Sequence, residues 1–392
     1  MRQIYVDHFA TTAVDERVIA VMLPLFREEF GNPASDGHAY GQRARATVEL
    51  TRGVIREAVG APDGAGVIFT SGATESNNLI IRGLGEFDGY ARRHIVVSTV
   101  EHKSVLEPVR WLASHGYRVT PVHVDSNGVV DPAAVKRAIQ PDTLLISVMA
   151  VNNETGTIQP VREIGEVAKS CGVAFHCDAS QAIGKIPIHM QQFGIDYLSI
   201  SAHKVYGPKG TGALCLATSQ SDAHLAPQEL GGGQEAGLRS GTLNVPGIAG
   251  LARAIQLMEE EAPHENARIR ALRDRLIAGL EAHVPDVSVN GSLEYAIPGA
   301  LNISIGGIRS TALLARIQDI AVSGAAACGG QSAKSHVLLA MGLGRDRVRS
   351  ALRFGIGRFN TIEDIDTIIE RIASEVAWIR TQPVFAPPQL EQ

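Results

Sequence analysis

This chain of 392 residues has few cysteines, a small net charge and no long apolar run. Four cysteines, with no Cys-x-x-Cys pair, are too few for a disulfide framework at this length. A net charge of −5 gives no overall attraction to nucleic acid or anionic membranes. No run is long enough to cross a bilayer, and the first residues lack a signal-peptide pattern. We therefore expect a cytoplasmic protein with reduced thiols, without membrane association and without direct nucleic-acid binding.

The length exceeds that of one typical domain, so we expect a large and a small domain. Strand-like and helix-like segments alternate up to about residue 258, which predicts an α/β domain with a mostly parallel sheet. A helix starting at Val245 is expected to end near Glu261, because Pro263 and a charged run follow. We place the large domain at 14–258 and a smaller α+β domain at 1–13 and 259–392.

Polar residues follow the predicted strands of the large domain. They are Thr74, His102, Asn153, Asp178 and Ser201. Right-handed crossovers would bring the corresponding strand ends to one edge of a parallel sheet, where ligands commonly bind. Small residues at the predicted helix start after Val67–Phe69 would let a phosphate approach backbone N–H groups. An ordinary capped helix start fits the same residues.

Asp178 and Lys204 end two neighbouring apolar runs, and a glycine-rich turn follows the lysine. Pyridoxal phosphate needs a lysine that bonds its aldehyde carbon and an acid at its ring nitrogen, so the pair suits this cofactor. A structural ion pair followed by a simple turn is the alternative. No pair of histidines has metal-ligand spacing, and we predict no resident metal.

Cys328 differs from the other cysteines in its surroundings. Cys171, Cys177 and Cys215 fall at a helix end or in apolar strands and are predicted to be small core residues. Cys328 lies among small residues and glycines, which indicates an accessible thiol and hence a candidate nucleophile. An incidental loop cysteine is the other interpretation.

Taken together, the motifs resemble those of the cysteine desulfurases, in the class-V aminotransferase-like group of fold type I pyridoxal phosphate enzymes. The matching motifs, in order, are D-H-F-A-T-T, G-N-P-A-S, T-S-G-A-T-E-S-N-N, E-H-K, V-N-N-E-T-G, D-A-S-Q, S-A-H-K-V-Y-G-P-K-G and G-G-G-Q-E-A-G-L-R-S-G-T. The resemblance covers nearly the whole chain. It implies a mostly parallel seven-stranded sheet in the large domain, and the S-G-A-A-A-C segment is similar to the subgroup with the longer cysteine loop.

The resemblance implies catalytic roles for three residues. Lys204 would carry the cofactor and later act as a base, His102 would stack on the ring and assist proton transfer, and Cys328 would take sulfur from the substrate. Asn153 and Arg353 would hold the substrate carboxylate, with the arginine as a bidentate fork.

The implied cofactor contacts are those of Ala73, Thr74, His102, Asp178, Gln181, Ser201, His203, Lys204 and Thr242. Asp178 would face the ring nitrogen and Gln181 the ring hydroxyl, while most of the others would surround the phosphate. Thr242 would reach the phosphate bound by a partner chain, which implies a homodimer.

The reaction implied by the resemblance converts L-cysteine to L-alanine and leaves a persulfide on Cys328. The sulfur would pass to an acceptor protein, either an iron–sulfur scaffold or a protein of tRNA or DNA sulfur modification. The chain departs from the family pattern after Cys328, where Lys334 replaces the usual proline and one residue is missing. This departure motivates the hypothesis of a dedicated acceptor and leaves open whether Cys328 ever ligates a transient iron–sulfur cluster.

Two other interpretations fit the sequence. The chain could be a selenocysteine lyase or another class-V aminotransferase, since these share the cofactor residues. A non-enzymatic interaction protein that kept the fold is the second, although Lys204, Asp178 and His102 all argue for chemistry.

Overall fold

A computed structural model describes residues 2–87, 89, 91–324 and 335–382. Its strands are β1 (Ile4–Tyr5), β2 (Gly66–Thr70), β3 (His94–Ser98), β4 (Arg118–Val122), β5 (Thr143–Ser147), β6 (Ala174–Asp178), β7 (Tyr197–Ser201), β8 (Gly212–Leu216), β9 (Val287–Val289), β10 (Ala300–Ile305), β11 (Ile320–Ala321), β12 (Ser323–Gly324) and β13 (Ala351–Gly355).

The α-helices connect and cover these strands. They are α1 (Glu16–Arg27), α2 (Ala39–Ala58), α3 (Ala73–Glu86), α4 (Lys103–Ser114), α5 (Pro132–Ala138), α6 (Val161–Cys171), α7 (Met190–Phe193), α8 (Val245–His283), α9 (Ser310–Leu314), α10 (His336–Ala340), α11 (Arg345–Arg349) and α12 (Ile362–Thr381). Within the described part of the chain, none of them has both the length and the apolar character that a bilayer crossing requires.

The large sheet has seven strands in the order β2-β8-β7-β6-β5-β3-β4. Only β8 runs against its neighbours β2 and β7, and the other pairings are parallel. The predicted fold class, an α/β protein with a mostly parallel seven-stranded sheet, is confirmed. Strands β2, β3 and β5 are buried along their whole length, because helices cover both faces of the sheet.

Alternate residues of each strand pack into two separate cores. Val67 and Phe69 of β2 join one apolar cluster, whereas Ile68 between them joins the cluster beneath α3 and α4. This is the period of two that a pleated strand imposes on its side chains. Every strand of the sheet centre is thereby fixed in register from both faces.

A second sheet, β12-β13-β10-β9, is antiparallel and packs against the C-terminal half of α8 and against α12. The prediction that the helix starting at Val245 ends near Glu261 is wrong, because α8 continues through Pro263 to His283. Proline inside a helix costs about 3 kcal/mol. The cost is offset since Leu251 packs in the first core and Leu276 in the second, which holds the helix on both sides of the proline.

The two cores divide along α8 between Leu257 and Leu272, near the predicted boundary at 258. Residues Ala296, Ile297 and Ala300 nevertheless pack with the first core. The division into 14–258 and 1–13 with 259–392 therefore stays a proposal.

Of the three cysteines outside the segment 325–334, two are core residues as predicted and one is not. Cys177 and Cys215 are buried in strands, as expected for small core residues. The prediction for Cys171 is wrong, because this last residue of α6 is exposed. It shares a helical face with the buried Ile164 and Ala168, but it is the last residue before the Gly172 cap, where the helix end is no longer covered.

A buried ion pair anchors the glycine-rich segment 230–244 to the edge of the large sheet. The Glu235 carboxylate accepts hydrogen bonds from Arg52 Nη1 at 2.9 Å and from the Phe69 backbone N–H at 2.9 Å. Glu235 and Ala236 both have left-handed backbone angles, with φ of 53° and 55°. Such a conformation is unfavourable for these residues, so the ion pair stabilises it.

We expect Glu235→Ala to lower the free energy of unfolding by about 3–5 kcal/mol, because it leaves the Arg52 guanidinium buried without its carboxylate. Urea unfolding followed by circular dichroism measures this. Glu229→Ala is the matched control, since half-exposed Glu229 only touches Arg239 from solvent, 3.5 Å away. Equal losses in the two variants would contradict the anchoring role of Glu235.

Candidate active site

A cleft of about 540 Å³ opens at the carboxyl ends of the parallel strands. Most of the residues that the sequence singled out line it, namely Ala73, Thr74, His102, Asn153, Asp178, Gln181, Ser201, His203, Lys204 and Arg353. Thr242 is exposed and lies outside the cleft of its own chain. Cys328 lies outside the described residues. Their individual roles stay predictions, but ten of the positions meet in one space.

The start of α3 forms one end of the cleft. Gly72 precedes the helix with a φ of 148°, and it offers no side-chain cap to the first N–H groups, including those of Ala73 and Thr74. These N–H groups have no partners within the helix and carry its positive end. A carbon atom added to Gly72 would lie 3.5 Å from Ser201 Oγ, so this hydroxyl adjoins the helix start. The arrangement suits an anion.

Asp178 ends β6 at the floor of the cleft. One carboxylate oxygen accepts a hydrogen bond from Asn77 Nδ2 at 2.8 Å, and the other accepts from the backbone N–H and the hydroxyl of Ser180 at 2.9 and 2.5 Å. The side chain is almost fully buried. These donors hold the carboxylate in one orientation and compensate its lost hydration.

Lys204 follows β7 and points back toward the N-terminal segment of the chain. Its Nζ donates to the carbonyl oxygens of Phe9 at 2.6 Å and Ala10 at 2.9 Å. Lys204 and Asp178 line the same cleft. A primary amine and an oriented carboxylate are thus available to one ligand.

His102 is the N-cap of α4, and its Nδ1 accepts a hydrogen bond from the Ser104 backbone N–H at 3.1 Å. Burial lowers the pKa of the imidazole, so the ring is neutral at physiological pH. His203 behaves alike: burial, with nearby Lys204, lowers its pKa to about 4. Because both rings are neutral, the positive charge that can bind an anion in the cleft comes from its lysine amines and the Arg353 guanidinium.

Arg353 of β13 closes the other end of the cleft. Its Nη2 pairs with Asp7 Oδ1 at 2.7 Å and also donates to Ser323 Oγ at 3.2 Å, while Nη1 donates to the Asn153 carbonyl at 3.0 Å. These contacts hold the guanidinium in place at the cleft wall. The guanidinium, paired with Asp7, therefore lines the same cleft as the helix start.

Three side chains that matter here were not assigned from the sequence: Asp7, Asn77 and Ser180. Each sits inside a quoted motif, and motif membership was the available signal. Their partners come from distant parts of the chain or from local turn geometry, which the sequence does not display. Within the described residues, no group of His, Cys, Asp or Glu side chains could hold a metal ion.

Glu101 is fully buried directly before His102. Its Oε1 accepts hydrogen bonds from Ser98 Oγ at 2.5 Å and from the Met149 backbone N–H at 2.8 Å. Oε2 has no hydrogen-bond partner in the described part of the chain. Burial raises the pKa of this carboxyl to about 8, so it is largely protonated at neutral pH.

The cleft fits pyridoxal phosphate in its donor set. An anion site at the start of α3 suits the phosphate, Asp178 suits a protonated ring nitrogen, and Lys204 suits the aldehyde carbon. Glycine at position 72 fits this cradle, since a φ of 148° excludes larger residues close to the anion site.

Comparison with known proteins gives a consistent result. The family model for class-V aminotransferases matches residues 4–368. A cysteine desulfurase IscS of Anaeromyxobacter dehalogenans is 46% identical over 378 residues, which cover 96% of this chain and 93% of that protein.

Solved structures agree with the sequence matches. The structure of a NifS-like protein superposes with a TM-score of 0.89 at 37% identity, covering 96% of this chain and 100% of that one. A structure of SspA in complex with cysteine superposes with a TM-score of 0.80 at 34% identity, covering 91% and 99%.

Glu101→Gln tests the buried carboxyl. In the folded protein its pKa is about 8 against an ordinary 4.5, so its contribution to stability is complete below pH 4.5 and is lost as pH rises toward 8. We expect the stability of the unmodified protein to fall by a few kcal/mol relative to the variant over this window, at about 1.4 kcal/mol per pKa unit. Unfolding midpoints of the cofactor-free protein at a series of pH values measure it.

Glu107→Gln is the control for this experiment, because Glu107 lies exposed on α4, the helix that follows Glu101, and pairs with Arg110. Its pH profile should follow that of the unmodified protein. If Glu101→Gln also followed that profile, the buried carboxyl would be ionised in the folded state.

Proposed function

Because the chain belongs to the class-V aminotransferase family, and within it to the cysteine desulfurases, we propose that this cleft is where it removes sulfur from L-cysteine. The protein is a cysteine desulfurase with pyridoxal phosphate as cofactor. The observation that carries the assignment of the site is the meeting of Lys204, Asp178 and the open start of α3 in one cleft. L-Cysteine becomes L-alanine, and the sulfur passes to an acceptor.

Several of the described residues would each hold a different part of the cofactor. The N–H groups of Ala73 and Thr74, with Ser201 and His203, would hold the phosphate. Lys204 would hold the aldehyde carbon. Asp178, fixed by its three donors, would keep a proton on the ring nitrogen, and Gln181 would bond the ring hydroxyl. When bound, pyridoxal phosphate supplies an electron-accepting ring next to the substrate amine.

Proton transfer falls to groups held beside the substrate. Lys204 lies against the Phe9 and Ala10 carbonyls, which orient its amine, and we assign it as the base for the substrate α-proton. His102 is neutral because it is buried, so it can accept or stack rather than repel a protonated amine. Both residues line the same cleft.

The substrate carboxylate would bind at Arg353 and Asn153. Arg353 enters the cleft already ordered by Asp7 and by the Asn153 carbonyl, so binding does not have to immobilise a free arginine. Both the helix start and Arg353 line the cleft, one for the phosphate and one for the carboxylate. Cysteine would thereby be held by its carboxylate near the chain ends that flank the segment of Cys328.

We propose that Cys328 receives the sulfur, although it lies outside the described residues. The two chain ends that flank its segment are both tied to the substrate end of the cleft. Ser323 pairs in register with Arg353 and donates to Asp7 Oδ2 at 2.7 Å. Ser335 donates to Glu154 Oε2 at 2.5 Å, one residue from Asn153. This placement supports the reach of Cys328 toward the substrate.

The sulfur step is a transfer between two thiols. The Cys328 thiolate attacks the substrate sulfur, the bond between that sulfur and the β-carbon breaks, and the β-carbon gains a proton to give alanine. A persulfide remains on Cys328, and its outer sulfur is the atom passed on. The acceptor we propose is an iron–sulfur scaffold or a protein of tRNA or DNA sulfur modification.

Lys204→Ala and Cys328→Ser separate cofactor binding from sulfur transfer. Purified Lys204→Ala should lose the near-visible cofactor absorption and release no alanine. Cys328→Ser should keep that absorption but release alanine from cysteine at least about 100-fold more slowly, because a hydroxyl is a far weaker nucleophile toward sulfur than a thiolate. Alanine assay and absorption spectra measure both.

Cys171→Ser is the matched control, since Cys171 is an exposed cysteine on α6 that does not line the cleft. It should match the unmodified protein. Normal alanine release by Cys328→Ser would exclude Cys328 as the sulfur carrier. Labelled sulfur from cysteine, followed onto each candidate acceptor in turn, then identifies the partner; no transfer to any acceptor would contradict the acceptor proposal.

A homodimer in which Thr242 reaches the partner's phosphate predicts complementation between variants. Thr242→Asp should weaken cofactor binding, because its carboxylate repels the phosphate, and Lys204→Ala lacks the amine. Refolded mixtures of the two should recover about a quarter of the normal activity, since random pairing makes half the dimers mixed and each mixed dimer has one complete site.

Mixing either variant with itself is the control and should recover nothing. If Thr242 served its own chain, the mixture would also stay inactive. Sedimentation of the unmodified protein as a monomer would contradict the dimer directly.

A further inference from the structure

Behind the cleft, Lys185 lies on a turn that follows Gln181 by four residues. Gly184 permits this turn, since its φ is +69° and a side chain there would meet Met258 Cβ at 2.5 Å. The Lys185 Nζ donates to Gln181 Oε1 at 3.0 Å and stands 5.3 Å from the centre of the Phe9 ring. The lysine amine is therefore held against the back of a cofactor-facing glutamine.

A chain of hydrogen bonds continues from Gln181 to Lys204. Gln181 Nε2 donates to the Phe9 carbonyl at 2.9 Å, and Lys204 Nζ donates to the same oxygen at 2.6 Å. The Phe9 carbonyl thus lies between Gln181 and the amine assigned to the cofactor. Lys185 is the outermost member of this chain.

The two partners of Gln181 admit only one orientation of its amide. A lysine amine bound in this way donates to the amide oxygen, and a backbone carbonyl can only accept. Rotating the amide by half a turn would place its oxygen against the Phe9 carbonyl and its NH₂ against Lys185. With the oxygen turned toward Lys185 and one N–H bound to the Phe9 carbonyl, the second N–H of Gln181 is available to a ligand in the cleft.

Lys185 does not serve as a structural ion-pair residue. In the described part of the chain, no carboxylate lies within 4.0 Å of its amine. Glu261 and Glu265 line the adjoining cavity of about 40 Å³, but Glu261 is paired with Arg17 and Arg358, and Glu265 with Arg268. The contacts recorded for the amine are those with Gln181 and the Phe9 ring.

We propose that Lys185 is a positioning residue for the cofactor, which locks the Gln181 amide so that it donates a hydrogen bond to the ring hydroxyl oxygen of pyridoxal phosphate. The proposal rests on the cofactor roles given above to Gln181 and Lys204. A donated hydrogen bond stabilises the ionised ring oxygen and weakens its hold on the proton of the neighbouring Lys204 nitrogen. The proton therefore leaves that nitrogen at lower pH.

Besides the paired Glu261 and Glu265 of the adjoining cavity, the titratable groups near Lys185 are Lys204, His8, His203 and Tyr206. Burial lowers the pKa of both histidines to about 4, so they stay neutral across the range used to titrate the bound cofactor. Burial and the nearby Lys204 lower the pKa of Lys185 to about 7, and in either protonation state its nitrogen can donate to Gln181. Asp7 adds a fixed negative charge near His8.

The test is a pH titration of the near-visible absorption of the cofactor bound to the full-length protein. In Lys185→Met the Gln181 oxygen loses its donor and only the Phe9 carbonyl still orients the amide, so we expect the absorption change to move to higher pH by up to about one unit, a tenfold change in proton affinity. Lys185→Arg keeps a donor and can extend into the adjoining cavity. It should therefore titrate at nearly the same pH as the unmodified protein. Lys169→Met, an exposed lysine on α6, should not move it.

The pair of variants Lys185→Met and Gln181→Leu decides whether Lys185 acts through Gln181. If it does, the double variant titrates at the same pH as Gln181→Leu alone. Additive shifts would overturn the proposal in favour of a direct charge effect, and so would an unshifted Lys185→Met. Thermal unfolding of the cofactor-free variants distinguishes loss of fold: if Lys185→Met unfolds, the titration of Lys185→Arg against Lys185→Gln decides by the same criterion.

Failure of the proposed function gives a different result. If Lys204→Ala kept the absorption band, the cofactor would not be held at Lys204 and no variant of Lys185 would bear on it. If the band depends on Lys204 but does not respond to Lys185, only the positioning role is wrong.

Discussion

The parallel arrangement of β3, β5, β6 and β7 is the constraint on which the site depends. Parallel strands must all end at the same edge, so whatever follows each of them is brought together without any further device. His102, Asn153, Asp178 and Lys204 come from four separate stretches of chain and meet for this reason. The core beneath them is buried on both faces, which makes that edge rigid.

A second constraint comes from the N-terminal segment, which crosses between the two cores. Asp7 holds Arg353 of the second sheet, while the carbonyls of Phe9 and Ala10 hold Lys204 of the first. A few residues therefore set the position of the substrate end relative to the cofactor end. Movement of one sheet relative to the other would displace Arg353 and Lys204 together. We therefore expect α8 and this segment to limit changes in the width of the cleft.

The strand ends and the helix start could be predicted because they depend on local patterns: apolar runs, small residues and polar residues where a run stops. The extension of α8 through Pro263 could not, because packing on two cores outweighs a local helix breaker. Asp7 was not assigned, because its partner Arg353 lies more than three hundred residues away in the chain. Lys185 was not assigned, because it contacts Gln181 from behind the site, four residues further along the chain. Cys171 looked like a core residue since it has the helical spacing of the buried Ile164 and Ala168, and the sequence does not show that cover stops before the helix ends.

The charges of the cleft explain how one small amino acid can be held in a single orientation. The helix start and the Arg353 guanidinium, which is paired with Asp7, both line the cleft together with Asp178. His102 and His203 are neutral because burial disfavours their charged forms, so they add no third anion site. Under the proposed function, the helix start would hold the phosphate and an amino acid with one carboxylate would bind at Arg353. Its amine would then be directed toward Lys204, and its side chain toward the side where Ser323 and Ser335 bound the segment that contains Cys328. The charges proposed to bind the cofactor would thus also determine which substrate atom faces the sulfur carrier.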